Sequence, residues 1–298
     1  MPDQVSSGAA DPASEDPASE DARLASALWS TGSWGASDVA AGVIGPDRIL
    51  ATVGDADRPF RLASVTKLLT AYACLVAIEE GTLDLDGPAG APGCTVRHLL
   101  AHAGGYGFDT MPLSRPGRTR IYSNTGFDAL AEALAHEAAM PAVDYVTAAV
   151  IEPLRLTGTD LRDGSLAHGA WSSAADLGRF AQELMRPTLV AGETLAEATS
   201  VQFPGLDGVL PGVGPQSPND WGLGFELRDH KSPHWTGERC SPATFGHFGA
   251  AGTFLWVDPT IDRALVVLTD RAFGPWALGA WPVLADAVVA AAAARPTA

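Results

Sequence analysis

At 298 residues and 46% hydrophobic composition, the chain is long enough for one large domain or two lobes sharing a core, and apolar enough to bury one. Its formal net charge of -16 excludes nucleic acid as a reasonable partner, because phosphate backbones are bound by surplus base. Three scattered cysteines, Cys74, Cys94 and Cys240, are too few for a disulfide scaffold or a zinc site with paired ligands, and read as reduced, buried thiols.

The chain opens without the basic start and apolar stretch of a secretion signal. Its longest uninterrupted apolar run, 287–294, is too short to cross a bilayer, so the expectation is a cytoplasmic protein with no membrane partner. Residues 11–20 read DPASEDPASE, and the first 22 residues hold six acids and no base. Such a segment has no large apolar group to repay the entropy of ordering, so 1–22 is expected to be a disordered acidic tail and folded structure to begin near Leu24.

Two β-rich runs follow, VAAGVIG (39–45) and RILATVG (48–54), separated by a Gly-Pro-Asp turn that suits a hairpin. From Ser64 to about residue 186 the helical period takes over, with Gly81 and Pro187 as stops. A Pro/Gly-rich stretch (204–218) precedes a return of the strand signature in WGLGFEL, AGTFLWVDP and ALVVLTD, and a closing helix runs to about residue 294. This order predicts an α+β fold: one antiparallel sheet built from both chain ends (23–63 and 219–298) with an inserted helical lobe (64–218) in a single domain, 23–298. The cleft between the lobes is the natural place for a site.

Ser64-Val65-Thr66-Lys67 stands where the β-rich segment passes into a helix. Ser64, Lys67, Ala71, Cys74 and Ile78 share one face of that helix, which is apolar all round until Glu79. An ammonium there either escapes to water or sits desolvated in a site, and desolvation brings a lysine from about 10.4 toward roughly 7 to 8, where it accepts protons near neutrality. The chain uses only two lysines, Lys67 and Lys231, against seventeen arginines, which points to a base chosen because it can lose its proton. The plainer alternative is an N-cap serine followed by a snorkelling lysine.

Tyr122-Ser123-Asn124 precedes the next strong helix. A phenol near a cation can pass a proton in both directions, and an asparagine can hold a lysine or a substrate carbonyl; alternatively, Tyr122 is core and Asn124 an N-cap. The third segment, Gly246-His247-Phe248-Gly249-Ala250, leads into a strand, and its glycines mark a close approach of another group. The N–H groups of Ser64 and Ala250 could together bind an oxyanion, each donor being worth about 3 to 4 kcal/mol of barrier. His98 and His102, four apart, lack a third metal ligand, and no metal is expected. Trp171, Trp221 and Trp256 read as core before they read as cleft.

Ser-x-x-Lys, then Tyr-x-Asn, then His-x-Gly, in that order, resembles the serine β-lactamase and penicillin-binding-protein superfamily, in its class C and esterase-like branch. HLLAHAGGYG (98–107), EPLRLTGT (152–159), WSSAADLGRF (171–180) and GHFGAAGTFLWVDP (246–259) carry the likeness from about residue 25 to 295. The resemblance implies a β-lactamase/transpeptidase-like fold, Ser64 as nucleophile, Lys67 as its partner, Tyr122 as a base, Asn124 as a polar bridge, His247 and Gly249 beside the substrate, and no cofactor. Where β-lactamases have Lys-Thr-Gly this chain has His247-Phe248-Gly249, and Phe248 can neither donate nor accept. The expected activity is therefore ester hydrolysis through an acyl-enzyme on a small-molecule ester or amide. The rivals are a β-lactamase or D-alanyl-D-alanine carboxypeptidase/D-aminopeptidase using the same residues, and a non-catalytic binding protein that would need neither Ser64 nor Lys67.

Overall fold

The computed structural model describes residues 19–293, and its first helix, α1 (Glu20–Leu28), is capped by the Ser19 hydroxyl accepting from the Ala22 N–H. This corrects the expected start near Leu24. Glu20 and Asp21 fall in the first helical turn, where acids suit the helix dipole, and are paired with Arg263 and Arg48. The remainder of the acidic segment, with most of the DPASE repeat, lies outside the described residues.

The hairpin forms as expected, β1 (Val39–Ile44) pairing antiparallel with β2 (Ile49–Val53). After the short β3 (Phe60–Arg61), the chain turns through 63–65 into α2 (Thr66–Glu79), which is buried from Thr66 to Ala77. A helix apolar on every side must be central. Around it stand α3 (Val96–Leu100), α4 (Asn124–Ala138) and α5 (Ala142–Val146), then β4 (Trp171–Ser172), which pairs with β3, followed by α6 (Ala174–Met185) and α7 (Gly192–Ala198). The Pro/Gly-rich stretch makes a small hairpin, β5 (Gly208–Leu210) with β6 (Gly214–Gln216).

The chain then returns to the main sheet in β7 (Glu226–Leu227), β8 (Phe245–Gly249), β9 (Thr253–Asp258) and β10 (Arg263–Thr269), and closes with α8 (Pro275–Ala293). The sheet order is β2-β1-β10-β9-β8-β7, with every neighbour antiparallel. β1 and β10, from opposite ends of the chain, are adjacent, so the helical lobe is an insertion into one sheet. Alternation along the strands divides the apolar residues between two cores. Ala40, Ile44, Leu255, Val257, Ala264, Val266 and Leu268 face the lobe containing α2 and α6, whereas Ala41, Val43, Phe254, Trp256, Leu265 and Val267 face α1 and α8.

Two expectations need correction. WGLGFEL contributes only Glu226–Leu227 to the sheet: Gly224 takes φ +82° and packs its bare Cα against Ala71 of α2, where a Cβ would come within 2.2 Å of the alanine methyl. The closing helix ends where expected, but it begins at Pro275, so the apolar stretch at this end is longer than the run 287–294. Its 19 residues could span a bilayer by length and composition, but here Trp281, Leu284, Ala285 and Val288 are buried in the second core.

Candidate active site

Ser64 stands in a turn that the backbone does not reach cheaply. The preceding Ala63 has φ +48°, a conformation costing a non-glycine residue about 1–3 kcal/mol. The turn is held from three sides: the Leu62 N–H donates to the Ala170 carbonyl at 2.9 Å, the Thr66 hydroxyl to the Ala63 carbonyl at 2.6 Å, and the Thr253 hydroxyl to the Leu62 carbonyl at 2.8 Å. Val65, not Ser64, caps α2, and without a side-chain bond. The N-cap alternative for Ser64 therefore falls away. Backbone N–H groups at this end of a helix lack intrahelical acceptors.

One helical turn on, Lys67 is 0% exposed and does not snorkel. Its Nζ donates to Asn124 Oδ1 at 2.7 Å and to the Ala167 carbonyl at 2.9 Å, and lies 4.8 Å from the centre of the Tyr122 ring. Burial lowers its pKa to about 7, partly opposed by Asp128 and Asp109. Asn124 is free for this role because Ser123 caps α4, accepting from the Gly126 N–H at 2.8 Å. The Asn124 amide is oriented by Asp109, whose Oδ1 accepts from Nδ2 at 2.9 Å, leaving Oδ1 of Asn124 toward the lysine.

Tyr122 is buried, and burial raises the pKa of its phenol, with Ser64 in polar contact drawing it partly back down. The phenol oxygen nevertheless makes no hydrogen bond of full geometry among the described residues. The ring lies against His102 (4.5 Å between centroids), Trp221 (5.7 Å) and His247 (5.5 Å). His102 is not on one helical face with His98: it lies beyond α3 at φ +53°, and its Nδ1 accepts from the Ser123 N–H. It is a buried neutral prop for the Tyr-Ser-Asn turn, and no metal-binding cluster exists among the described residues.

β8 brings the third segment to the same place. β7 pairs only with Phe245 and Gly246, leaving the outer edge of His247, Phe248 and Gly249 open. Gly249 meets the serine turn so closely that a Cβ would lie 2.2 Å from the Leu62 carbonyl oxygen. The Gly249 carbonyl accepts from the Gly252 N–H at 3.0 Å, so in a planar trans peptide the N–H of Ala250 points the opposite way. Gly249→Ala is expected to cost about 1–3 kcal/mol of stability by overpacking and to lower turnover at least about tenfold; thermal melts and kcat measured together check it.

His247 Nδ1 lies 2.6 Å from the Phe248 carbonyl, which can only accept, so the proton is on Nδ1 and Nε2 presents a lone pair. That Nε2 is buried without a partner among the described residues. Burial, and then the charge of Lys67, lower the His247 pKa to about 3, so the imidazole is neutral at physiological pH.

Ser64, Tyr122, His247 and Ala250 line one cavity of about 130 Å³, together with Phe108, Leu210, Pro211, Gly212, Trp221, Glu226, Phe248 and Phe273. Lys67, Asn124 and Gly249 stand behind it. Of the three tryptophans weighed, Trp221 is both core and cavity wall, Trp256 is core, and Trp171 lies elsewhere under Arg162. The sequence reading missed Phe108, Asp109, Leu210, Phe273 and Glu226. The last is a buried carboxylate: burial works to raise its pKa, but His234 and Lys231 bring it down to about 2. Lys231 binds Glu226 Oε1, and His234 and Trp235 each donate to Oε2 at 2.9 Å.

This sheet, its inserted helical lobe and the Ser-x-x-Lys, Tyr-x-Asn and His-x-Gly segments at their junction are those of the serine hydrolases of β-lactamase fold. The chain belongs to the beta-lactamase family, matching it over residues 31–289. It is similar to the crystal structure of a beta-lactamase from Mycobacterium bovis, at 55% identity and a TM-score of 0.88, covering 90% of this chain and 100% of that one. It shares its fold with a hydrolase with promiscuous acyltransferase activity (17% identity, TM-score 0.73, 90% and 99% coverage). The D-amino acid amidase from Ochrobactrum anthropi is similar in the same way (18%, 0.73, 91% and 98%). No curated protein matches this chain.

Proposed function

We propose that the protein is a carboxylic ester hydrolase that works through an acyl-enzyme on Ser64. The observation that carries this reading is the convergence of Ser64, the Tyr122 phenol and a neutral His247 on one apolar cavity with no lysine or arginine among its lining residues. A site built for a carboxylate-bearing substrate would place a cation where His247 stands.

In the proposed cycle, Ser64 Oγ attacks the ester carbonyl carbon while its proton passes to Lys67 Nζ, directly or through the Tyr122 hydroxyl. The carbonyl π-pair moves to oxygen, held by the N–H groups of Ser64 and Ala250. Collapse breaks the bond to the alkoxy group, which takes the proton back from Lys67 by the same route. Water then adds to the acyl-enzyme, giving its proton to Lys67, and the second collapse returns that proton to Ser64 Oγ. Lys67, with its pKa at about 7, serves as the base; Tyr122, its phenol held neutral by burial, relays.

Small-molecule esters or amides are the partners in this reading, not nucleic acid or membrane. The free buried thiols Cys74, Cys94 and Cys240 support a cytoplasmic location. A β-lactamase is the second reading, favoured by the 55% identical relative that bears that name. A D-aminopeptidase-like activity is favoured by the shared fold of the amidase. Mass spectrometry of the intact protein after rapid quench from p-nitrophenyl butyrate should show one added butyryl group, localised by peptide mapping to Ser64. Turnover of a chromogenic cephalosporin faster than of any p-nitrophenyl ester would reverse the order of the two readings.

A further inference from the structure

The cavity lining divides by chemistry. Ser64, Tyr122, His247 and Ala250 bring the groups the reaction needs, and Leu210, Pro211, Phe248 and Phe273 form an apolar wall. Phe273 comes from the connection between β10 and α8, and its N–H donates to the Ala250 carbonyl at 3.0 Å. The ring is thereby fixed relative to the turn that would carry an oxyanion donor. It packs on Phe248 at 4.8 Å and on Trp281 at 5.2 Å between centroids, and Phe248 is itself anchored on Trp235 at 5.6 Å.

The turn of the β5–β6 hairpin closes the wall from the other side. Gly212 sits against Phe273 so tightly that a Cβ there would lie 2.4 Å from the ring edge. Two segments distant in sequence therefore meet over the cavity. Glu226, the one charged side chain in the lining, has both carboxylate oxygens bonded to Lys231, His234 and Trp235, so the charge it brings to the cavity is matched.

Resting on the ester reading above, we infer that the substrate's acyl group is uncharged, apolar and short, and that Phe248 and Phe273 form the end wall limiting its length. The acyl group, rather than the alcohol, faces this wall because Phe248 directly follows His247 on β8 and Phe273 is bonded to Ala250, so both rings are tied to the residues that flank the carbonyl. A negatively charged acyl group would meet the His247 lone pair and the rings of Phe248 and Phe273 and would lose its hydration without compensation. One methylene in such a pocket is worth about 10- to 200-fold in discrimination, enough for a wall to set a sharp limit.

The test is a kcat/KM series over p-nitrophenyl acetate, butyrate, octanoate and hemisuccinate with wild type, Phe273→Ala and Phe273→Leu, each variant checked by thermal melting. A second arm holds the acyl group as acetate and lengthens the alcohol from ethyl to hexyl. Wild type should prefer butyrate to octanoate and to hemisuccinate by about tenfold or more. Phe273→Ala should raise the octanoate-to-butyrate ratio by about tenfold, with Phe273→Leu intermediate. An unchanged ratio in both variants, a preference for hemisuccinate, or a Phe273 effect that follows the alcohol and not the acyl chain would overturn the inference while leaving the ester reading intact. Absence of turnover of every ester by wild type would overturn the ester reading and this inference with it.

Discussion

Ser64→Ala is expected to lower kcat/KM for p-nitrophenyl butyrate by about 10⁴-fold or more, the scale on which removal of a serine nucleophile acts in enzymes whose nucleophile and base work as a unit. Ser64 and Tyr122 supply the hydroxyls of the cavity lining, and Tyr122 is held as a neutral phenol, so no second nucleophile is poised to take over. The fold should survive. Ser64 is only half-buried and does not cap α2, and the turn around it is held through Leu62, Ala63 and Thr66. A melting temperature unchanged within about 2 °C, roughly what 1 kcal/mol would produce in a domain of this size, would show that the loss is chemical. Activity within about 100-fold of wild type, in a preparation free of contaminating esterase, would exclude an acyl-enzyme on this serine.

Much of the fold was legible because the chain changes character along its length. Short β-rich runs in 39–54 and 251–270 specify strands, the run from Val65 to Val76 specifies a helix with no polar face, and a sheet with contributions from both ends follows from their order. Helix α1 was read short because its first turn is built from Ser19, Glu20 and Asp21, residues typical of a solvated tail; only Arg48 and Arg263, far away in sequence, reveal that they are paired. WGLGFEL has the composition of a strand, and the contact between Gly224 and Ala71 that breaks it is tertiary.

The catalytic candidates Ser64, Lys67, Tyr122 and Asn124 were visible because the motifs that hold them follow one another in an order that resembles the family's, and because Lys67 is costly in its position unless used. Burying Lys67 at a helix start has no structural benefit that an apolar residue would not supply better. The cavity wall was not visible. Phe108, Leu210 and Phe273 are ordinary apolar residues in loops or at the end of a short strand, and what distinguishes them is that three separate connections meet over one serine. His102 carried the opposite ambiguity: its spacing from His98 suggested a shared helical face, but the helix ends at Leu100 and the backbone turns into the left-handed region, directing the imidazole under Tyr122.

Lys67→Met should reduce kcat/KM at pH 8 by about 10²–10⁴-fold, the range for loss of a general base, and should also change the shape of the pH profile. The sign follows from the lysine's charge. Nζ accepts a proton only when neutral, and burial holds its pKa near 7, so wild-type kcat/KM should rise with pH, reach half its limit near pH 7 and level off above it. Methionine fills a similar volume without a titrating group, so the variant should lose that limb. Asp109 provides an independent displacement of the same midpoint. Its charge raises the lysine pKa, so Asp109→Asn should move the midpoint to lower pH while the side-chain carbonyl oxygen at this position can still accept from Asn124 Nδ2. A rise unchanged in midpoint in Asp109→Asn, together with a surviving limb in Lys67→Met, would assign the titration to another group and leave Lys67 as a structural ammonium. The opposite pair of results requires that the proton leaving Ser64 come to rest on Lys67, because no neighbouring phenol or imidazole in this site titrates near 7: burial raises Tyr122, lowers His102 well below its usual value and holds His247 at about 3.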